Sequence, residues 1–407
     1  MIDANPVAPQ RVIRLGGTMA SLLLAFICVA APLMSRATNA QATPESLLEP
    51  AGEAYFGFNL DWGHDSAIAA GERLGLQPSS YVDFFTFPLT PAARANLDRF
   101  MDQMEEVHGL AVVTLEPSVP LTEITPDLAE DLATLLASYN QRGIPILVRF
   151  AHEMNGSWYS WSQQPTAYVA AFRTVAAAIH GSAPLTGMLW APNNGAGYPF
   201  RGGTYEAGPD DPDFTLLDTN GDGALTGTDD PYAPYYPGDD AVDWVGMSLY
   251  HWGNEYPWGE NELPEPGMFS AMLTGTYDGM AGDYTAVPDF YAEYAEGHGK
   301  PVAIVETAAF YRPGAGGADE LEIKQGWWRQ VLSPETFERF PAIRMVNWFE
   351  WEKEEVEVGS AIVDWTVTMD EDIQHAFRRD LPVEYLIFAP LPEANQVIGI
   401  GPRTRQS

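Results

Sequence analysis

The chain is nearly without cysteine: Cys28 is the only one in 407 residues, and it lies in an amino-terminal stretch that reads as removable. Disulfides and a thiol nucleophile are thereby excluded for the mature protein, whose stability has to come from a buried core. Basic residues are also scarce, 21 against 56 acidic ones, which gives a formal charge of −35. A field of that sign repels nucleic acid and anionic membrane surfaces and disfavours acidic substrates, so a neutral or cationic ligand is expected. No apolar run is long enough to span a bilayer; residues 19–34 come nearest, at about 16 residues against the roughly 20 a spanning helix needs. That run follows Arg11 and Arg14 and precedes Ala40-Gln41-Ala42, a small-x-small cleavage signature. Residues 1–42 are therefore expected to be a signal peptide, cut after Ala42, leaving a secreted or extracytoplasmic chain of residues 43–407 with no membrane attachment. An uncleaved anchor is the alternative, and Ile27 is too bulky for a lipoprotein processing site before Cys28.

Disorder is excluded by a hydrophobic fraction of 46%. Short apolar runs alternate with longer amphipathic stretches, the pattern of a parallel sheet built from strand-helix units. Eight such runs occur, at 55–59, 82–87, 111–115, 144–151, 187–191, 244–250, 302–306 and 344–349. Helical patterns lie between them at 92–108, 126–142, 168–180 and 321–332, the first opened by the capping pair Thr90-Pro91. Eight units predict an α/β chain folded as one (β/α)₈ TIM barrel, with an Asp/Gly/Pro-rich insertion at 201–240 and a second long connection at 253–288. In that architecture the chemistry sits where the strands end.

The fourth run closes on R-F-A-H-E-M-N-G-S-W-Y-S-W at 149–161. Alternation places Arg149, Ala151 and Glu153 on one side, so a Glu153 at the barrel mouth implies an inward Arg149. A buried arginine needs an acidic partner. The seventh run supplies a candidate in P-V-A-I-V-E, which ends on Glu306 after four apolar residues. Two carboxylates across one mouth suit glycoside cleavage, one protonated to donate to the leaving oxygen and one ionised to attack the anomeric carbon. His152-Glu153 begins like a zinc-protease helix, but Gly156 stands where the second histidine would be, so zinc is discarded. Asn155-Gly156-Ser157 fits a glycosylation acceptor, yet a glycan there would block the cleft.

These motifs, with V-D-W-V-G-M-S-L-Y at 242–250 and V-N-W at 346–348, resemble glycoside hydrolase family 26, and the likeness runs from about residue 56 to 351. The resemblance implies a retaining double displacement on a (β/α)₈ barrel, with Glu153 as acid/base and Glu306 as nucleophile. It further implies that His152 contacts the sugar and the catalytic network, that Tyr250 hydrogen-bonds the nucleophile, and that Trp348 is the platform under the cleaved sugar. Trp158 and Trp161 would line the leaving-group side, and Arg149 and Asn155 complete the expected substrate-binding set. Phe150, where many family mannanases carry proline, and the ending W-Y-S-W in place of W-F-W-W resemble members acting on mixed-linkage β-glucan, which puts mannose in doubt but not the reaction type.

Twelve tryptophans and 18 tyrosines, many at strand ends, suit sugar rings, whose apolar C–H faces pack on flat aromatics. Residues 218–229, D-T-N-G-D-G-A-L-T-G-T-D, match a calcium loop in which Asp218, Asn220, Asp222, the Ala224 carbonyl, Thr226 and Asp229 would be ligands. Asp229 replaces the usual glutamate, and the proline-rich flanks do not read as paired helices; a solvated acidic turn is the alternative. Catalysis itself needs no cofactor, so any calcium would be structural. The expected protein is a secreted, monomeric endo-hydrolase of a neutral β-linked polysaccharide, β-1,4-mannan first and mixed-linkage β-1,3-1,4-glucan second. A catalytically silent carbohydrate-binding barrel and polysaccharide-processing machinery held at the cell surface are the competing readings.

Overall fold

The computed structural model describes Leu48 and residues 50–254, 256–277 and 287–392, all within the unit Gln41–Ser407. Eight parallel strands pair in sequence order: β1 (Ala54–Leu60), β2 (Ser80–Phe87), β3 (Leu110–Pro117), β4 (Ile146–Phe150), β5 (Thr186–Trp190), β6 (Trp244–Ser248), β7 (Val302–Thr307) and β8 (Ile343–Glu350). A register running from Tyr55↔Met345 to Leu60↔Glu350 joins β1 to β8 and closes the barrel. Every predicted run coincides with a strand to within two residues. The expected signal peptide lies outside the described residues. Among the described residues no helix is long and apolar enough to cross a membrane.

The intervening helices begin where the local chemistry directs. Thr90 Oγ1 accepts the Ala93 N–H, and Pro91 occupies the first helical position of Pro91–Val107, where its missing N–H costs nothing. Thr125 and Pro126 repeat the device at Pro126–Asn140. Alternation along the strands then divides the apolar residues in two. Val112, Leu147, Val305 and Met345 fill the barrel interior, while Phe85 and Phe150 pack beneath helices against Phe100 and Phe172. Complete burial of such a side chain stabilises the fold by roughly 1.5–3 kcal/mol, so these layers supply the core that a chain without disulfides requires.

On β8 the alternation overturns one expectation. Trp348 falls on the helix side: it is 0% exposed, its ring lies 5.7 Å from Phe377 of helix Glu371–Asp380, and its Nε1 donates to the Trp365 carbonyl at 2.8 Å. It is a wedge between sheet and helix, not a sugar platform. The next residue takes the opposite face, so Phe349 stands 5.8 Å from Tyr250 and stacks on Trp351 at 5.7 Å. Beyond β8 a hairpin forms from β9 (Glu352–Glu355) and β10 (Ala361–Asp364). The tail adds β11 (Leu386–Ile387) beside the first residues of β1, through Ala54↔Leu386 and Tyr55↔Ile387, so its apolar residues pack at the base of the barrel.

Candidate active site

Glu306 lies in β7 with its side chain turned into the barrel, where Arg149 of β4 meets it. The guanidinium donates through Nη1 to Glu306 Oε1 and through Nη2 to Ser248 Oγ at 2.8 Å. Arg149 is 0% exposed, so an unpaired charge there would cost several kcal/mol, and the carboxylate supplies the acidic partner expected from the sequence. The second oxygen of Glu306 accepts from Tyr250 Oη at 2.7 Å. Burial, then the Glu306 charge, raises the Tyr250 phenol well above its ordinary value, so it remains a proton donor. With both oxygens held, the carboxylate has one orientation.

Glu153 reaches the same mouth by a different route from the one expected. β4 stops at Phe150, and Ala151 and Glu153 adopt positive φ angles of 47° and 52°. Strand alternation therefore does not place Glu153. Neighbouring contacts hold these strained residues: the Glu153 N–H donates to the Ala191 carbonyl at 3.0 Å, and the Asn155 side chain bonds both the N–H and the carbonyl of Asn193 at 2.8 Å. Asn155 is thus a clamp between the ends of β4 and β5, with both polar atoms engaged, and not the sugar ligand expected of it. Arg149 likewise acts on Glu306 from below and presents nothing to a substrate.

The environment separates the two carboxyl groups. Burial, reinforced by the Glu306 charge, pushes the Glu153 carboxyl up to about 6, against the pull of Arg149 and of hydrogen bonds from Ser248 and Trp158. The Trp158 Nε1 donates to Glu153 Oε2 at 3.1 Å. That indole is 37% exposed, and Gly156 is required beneath it, since a Cβ there would lie 2.5 Å from the ring. From the insertion side, Phe200 meets Trp158 at 5.1 Å and its carbonyl accepts from Ser157 Oγ at 2.5 Å.

His152 and Trp161 are mostly buried around Tyr159, which stacks on Trp161 at 4.4 Å and hydrogen-bonds His152 Nε2 at 3.1 Å. Burial, then Arg149, lowers the imidazole well below its usual value, so His152 is neutral. Trp161 spends its Nε1 on the His152 carbonyl. These two shape the wall, and Trp158 is the open aromatic surface. Two carboxyl groups had escaped the sequence reading. Glu116, next to last in β3, is half-buried and raised by burial within range of Arg149 and Glu306, and Asp83 of β2 is pushed up to about 7, again by burial. An acidic residue inside an apolar strand was the available signal for both.

The calcium-loop residues form a turn with Gly221 and Gly223 at positive φ, but their oxygens face the loop's own N–H groups. Asp218 accepts from Asp222 and Gly223, Asp222 from Ala224, and the buried Asp229 from Asn220 and Thr226. Among the described residues no three His, Cys, Asp or Glu side chains gather as a metal site.

Residues 92–212 match the model of glycosyl hydrolase family 26, in the segment that carries Arg149 and Glu153. A curated relative, Endoglucanase H of Acetivibrio thermocellus, is 27% identical over 169 residues, which covers 39% of this chain but only 16% of that protein. Among solved structures, GH26C of a Muricauda species aligns with a TM-score of 0.53 and 16% identity, over 86% of this chain and 90% of the other. A double mutant of the Cellulomonas fimi endo-β-1,4-mannanase aligns with a TM-score of 0.52 and 18% identity, over 86% and 76%. The structural likenesses establish the shared barrel fold, and the family match bears out the resemblance read from the motifs.

Proposed function

We propose that this chain, which carries the family-26 glycoside hydrolase pattern, is a secreted, retaining endo-hydrolase of a neutral β-linked polysaccharide, with β-1,4-mannan as its first substrate. One observation carries the reading: Glu153 and Glu306, distant in sequence, share Arg149 and Ser248 as neighbours at one barrel mouth, and the charge of one raises the carboxyl of the other. In the first step Glu306, oriented by Arg149 and Tyr250, attacks the anomeric carbon while Glu153 gives its proton to the departing glycosidic oxygen. In the second step Glu153, now ionised, takes a proton from the water that releases the sugar from Glu306. The charge of −35 favours a neutral chain over an acidic one. Turnover of glucomannan, mixed-linkage glucan and β-1,3-xylan by the purified protein distinguishes the substrates; inertness on all three removes the hydrolase reading and leaves the binding barrel. Mixed-linkage glucan is the second reading, favoured by the W-Y-S-W ending and by the relative named an endoglucanase. Secretion predicts an exported mass that begins at Thr43, whereas an intact amino terminus supports the surface-held alternative. A monomer is expected in sedimentation.

A carboxyl raised to about 6 has a direct kinetic consequence. The protonated form is the active acid, so kcat/KM should fall as pH rises through about 6. The Trp158 hydrogen bond favours the ionised form; Trp158→Phe should therefore move this alkaline limb to higher pH. A limb that stays in place would detach Trp158 from the acid.

The connection after β5, which carries the calcium loop, also buttresses the Trp158 segment through Phe200 and Tyr205. Structural calcium at this loop is part of the proposal. Calcium should raise the thermal midpoint and a chelator lower it by several degrees, as expected for a ligand that binds only the folded state. Identical midpoints would reduce the loop to a solvated turn.

A further inference from the structure

Next to the mouth, the connection after β6 encloses a cavity of about 240 Å³ walled by Trp252, Tyr256 and Trp258, with Glu260 and Glu262 on its rim. Tyr256 is 63% exposed, and its ring meets that of Trp258 edge-on at 5.7 Å. Trp252 and Trp258 are half-buried beside it, so three aromatic side chains converge on this one short loop. The wall is fixed from behind. Trp252 packs on Trp365 at 4.8 Å and lies 6.5 Å from Tyr250, the residue that bonds Glu306. Trp365 in turn donates its Nε1 to Glu355 of β9 at 2.9 Å. On the rim, Glu262 accepts the Asn254 N–H at 2.8 Å, which aims one carboxylate, while Glu260 is exposed.

We propose that this cavity is a second carbohydrate-binding site, which holds a pyranose of the same polysaccharide chain beyond the ring being cleaved. Aromatic faces cover the apolar C–H surface of a sugar, and carboxylate oxygens accept from its hydroxyls. Among the described residues that line the cavity there is no lysine or arginine, and its two carboxylates repel anionic ligands. Trp252, on the cavity wall, lies 6.5 Å from Tyr250, which places the site beside the catalytic mouth. The inference rests on the glycosidase reading and makes the enzyme one that recognises long chains: the remote ring contributes binding that a short substrate lacks.

Trp258→Ala is the test, with two substrates. For glucomannan, KM should rise about tenfold with kcat changed less than about twofold, the size expected for losing one aromatic contact. For 4-nitrophenyl β-mannobioside, which has only two sugar rings, both constants should be unchanged, and Trp258→Phe should recover most of the polymer KM. Equal losses on both substrates would make Trp258 structural, and no loss on the polymer would empty the site; either overturns the proposal. Binding is measured separately by electrophoresis through gels containing glucomannan or mixed-linkage glucan, using the Glu306→Gln chain with and without Trp258→Ala. Retardation that depends on Trp258 supports the site even where the unaltered chain turns over none of glucomannan, mixed-linkage glucan and β-1,3-xylan, which would overturn the hydrolase reading alone. Retardation independent of Trp258 overturns the site alone.

Discussion

Glu306→Ala is expected to lower kcat on the preferred polysaccharide about 10⁴-fold or more, as removal of a covalent nucleophile does in other enzymes. Polysaccharide binding should persist, because the aromatic surface at Trp158 does not depend on this carboxylate. Azide is small enough to enter the space left by the side chain. It should restore part of the turnover of an activated aryl glycoside by taking the sugar as a glycosyl azide. Glu153→Ala should behave differently: a polymer, whose leaving oxygen needs a proton, is lost, while an aryl glycoside with a good leaving group keeps its first step. In that variant the alkaline limb near pH 6 should also vanish, since it belongs to Glu153. Undiminished turnover in Glu306→Ala would end the assignment of the nucleophile.

The second large effect concerns stability. Arg149 is fully buried and Glu306 nearly so, and each is the other's charge partner. Arg149→Met leaves Glu306 buried without its cation, with Glu153 and Glu116 still within range of its charge. Such a broken buried pair costs about 3–5 kcal/mol. Arg149→Met combined with Glu306→Gln should recover much of that loss, because the double variant buries no net charge at the pair. Chemical denaturation of the four chains gives the coupling directly. A value near zero, against the 0.5–3 kcal/mol typical of contacting residues, would show that the pair is not what holds this layer.

How far these residues could be read in advance varied for physical reasons. Glu306 was legible because a glutamate that follows four apolar strand residues has no packing reason to be there. The inward Arg149 pointed to an acidic partner by charge alone, and the partner was found. Glu350 shows the limit of that argument. It too ends an apolar strand, yet it takes the helix side and spends its oxygens on the N–H groups of Val367 and Thr368 and the Thr368 hydroxyl. Glu306 instead turns inward directly after the interior Val305, because β7 departs from regular register between Ile304 and Thr307. On the regular β8, one-residue parity misled the reading of Trp348, whose neighbour Phe349 holds the mouth-facing position. Two adjacent aromatics look alike in a sequence, and a shift of one residue exchanges the faces of the sheet.

The amino-acid order by itself determined the eight strands, the helix starts at Thr90 and Thr125, and the two carboxyl groups, because periodicity, capping and a misplaced charge are local signals carried by neighbouring residues. The tertiary structure decided what each side chain does. It turned Asn155 into a clamp on Asn193 and Arg149 into a brace for Glu306, and it sent Trp348 beneath a helix. It also raised the Glu153 carboxyl by burying it near Glu306, 153 positions along the chain. Burial and charge coupling act through space, and only closure of the barrel brings those groups within each other's range.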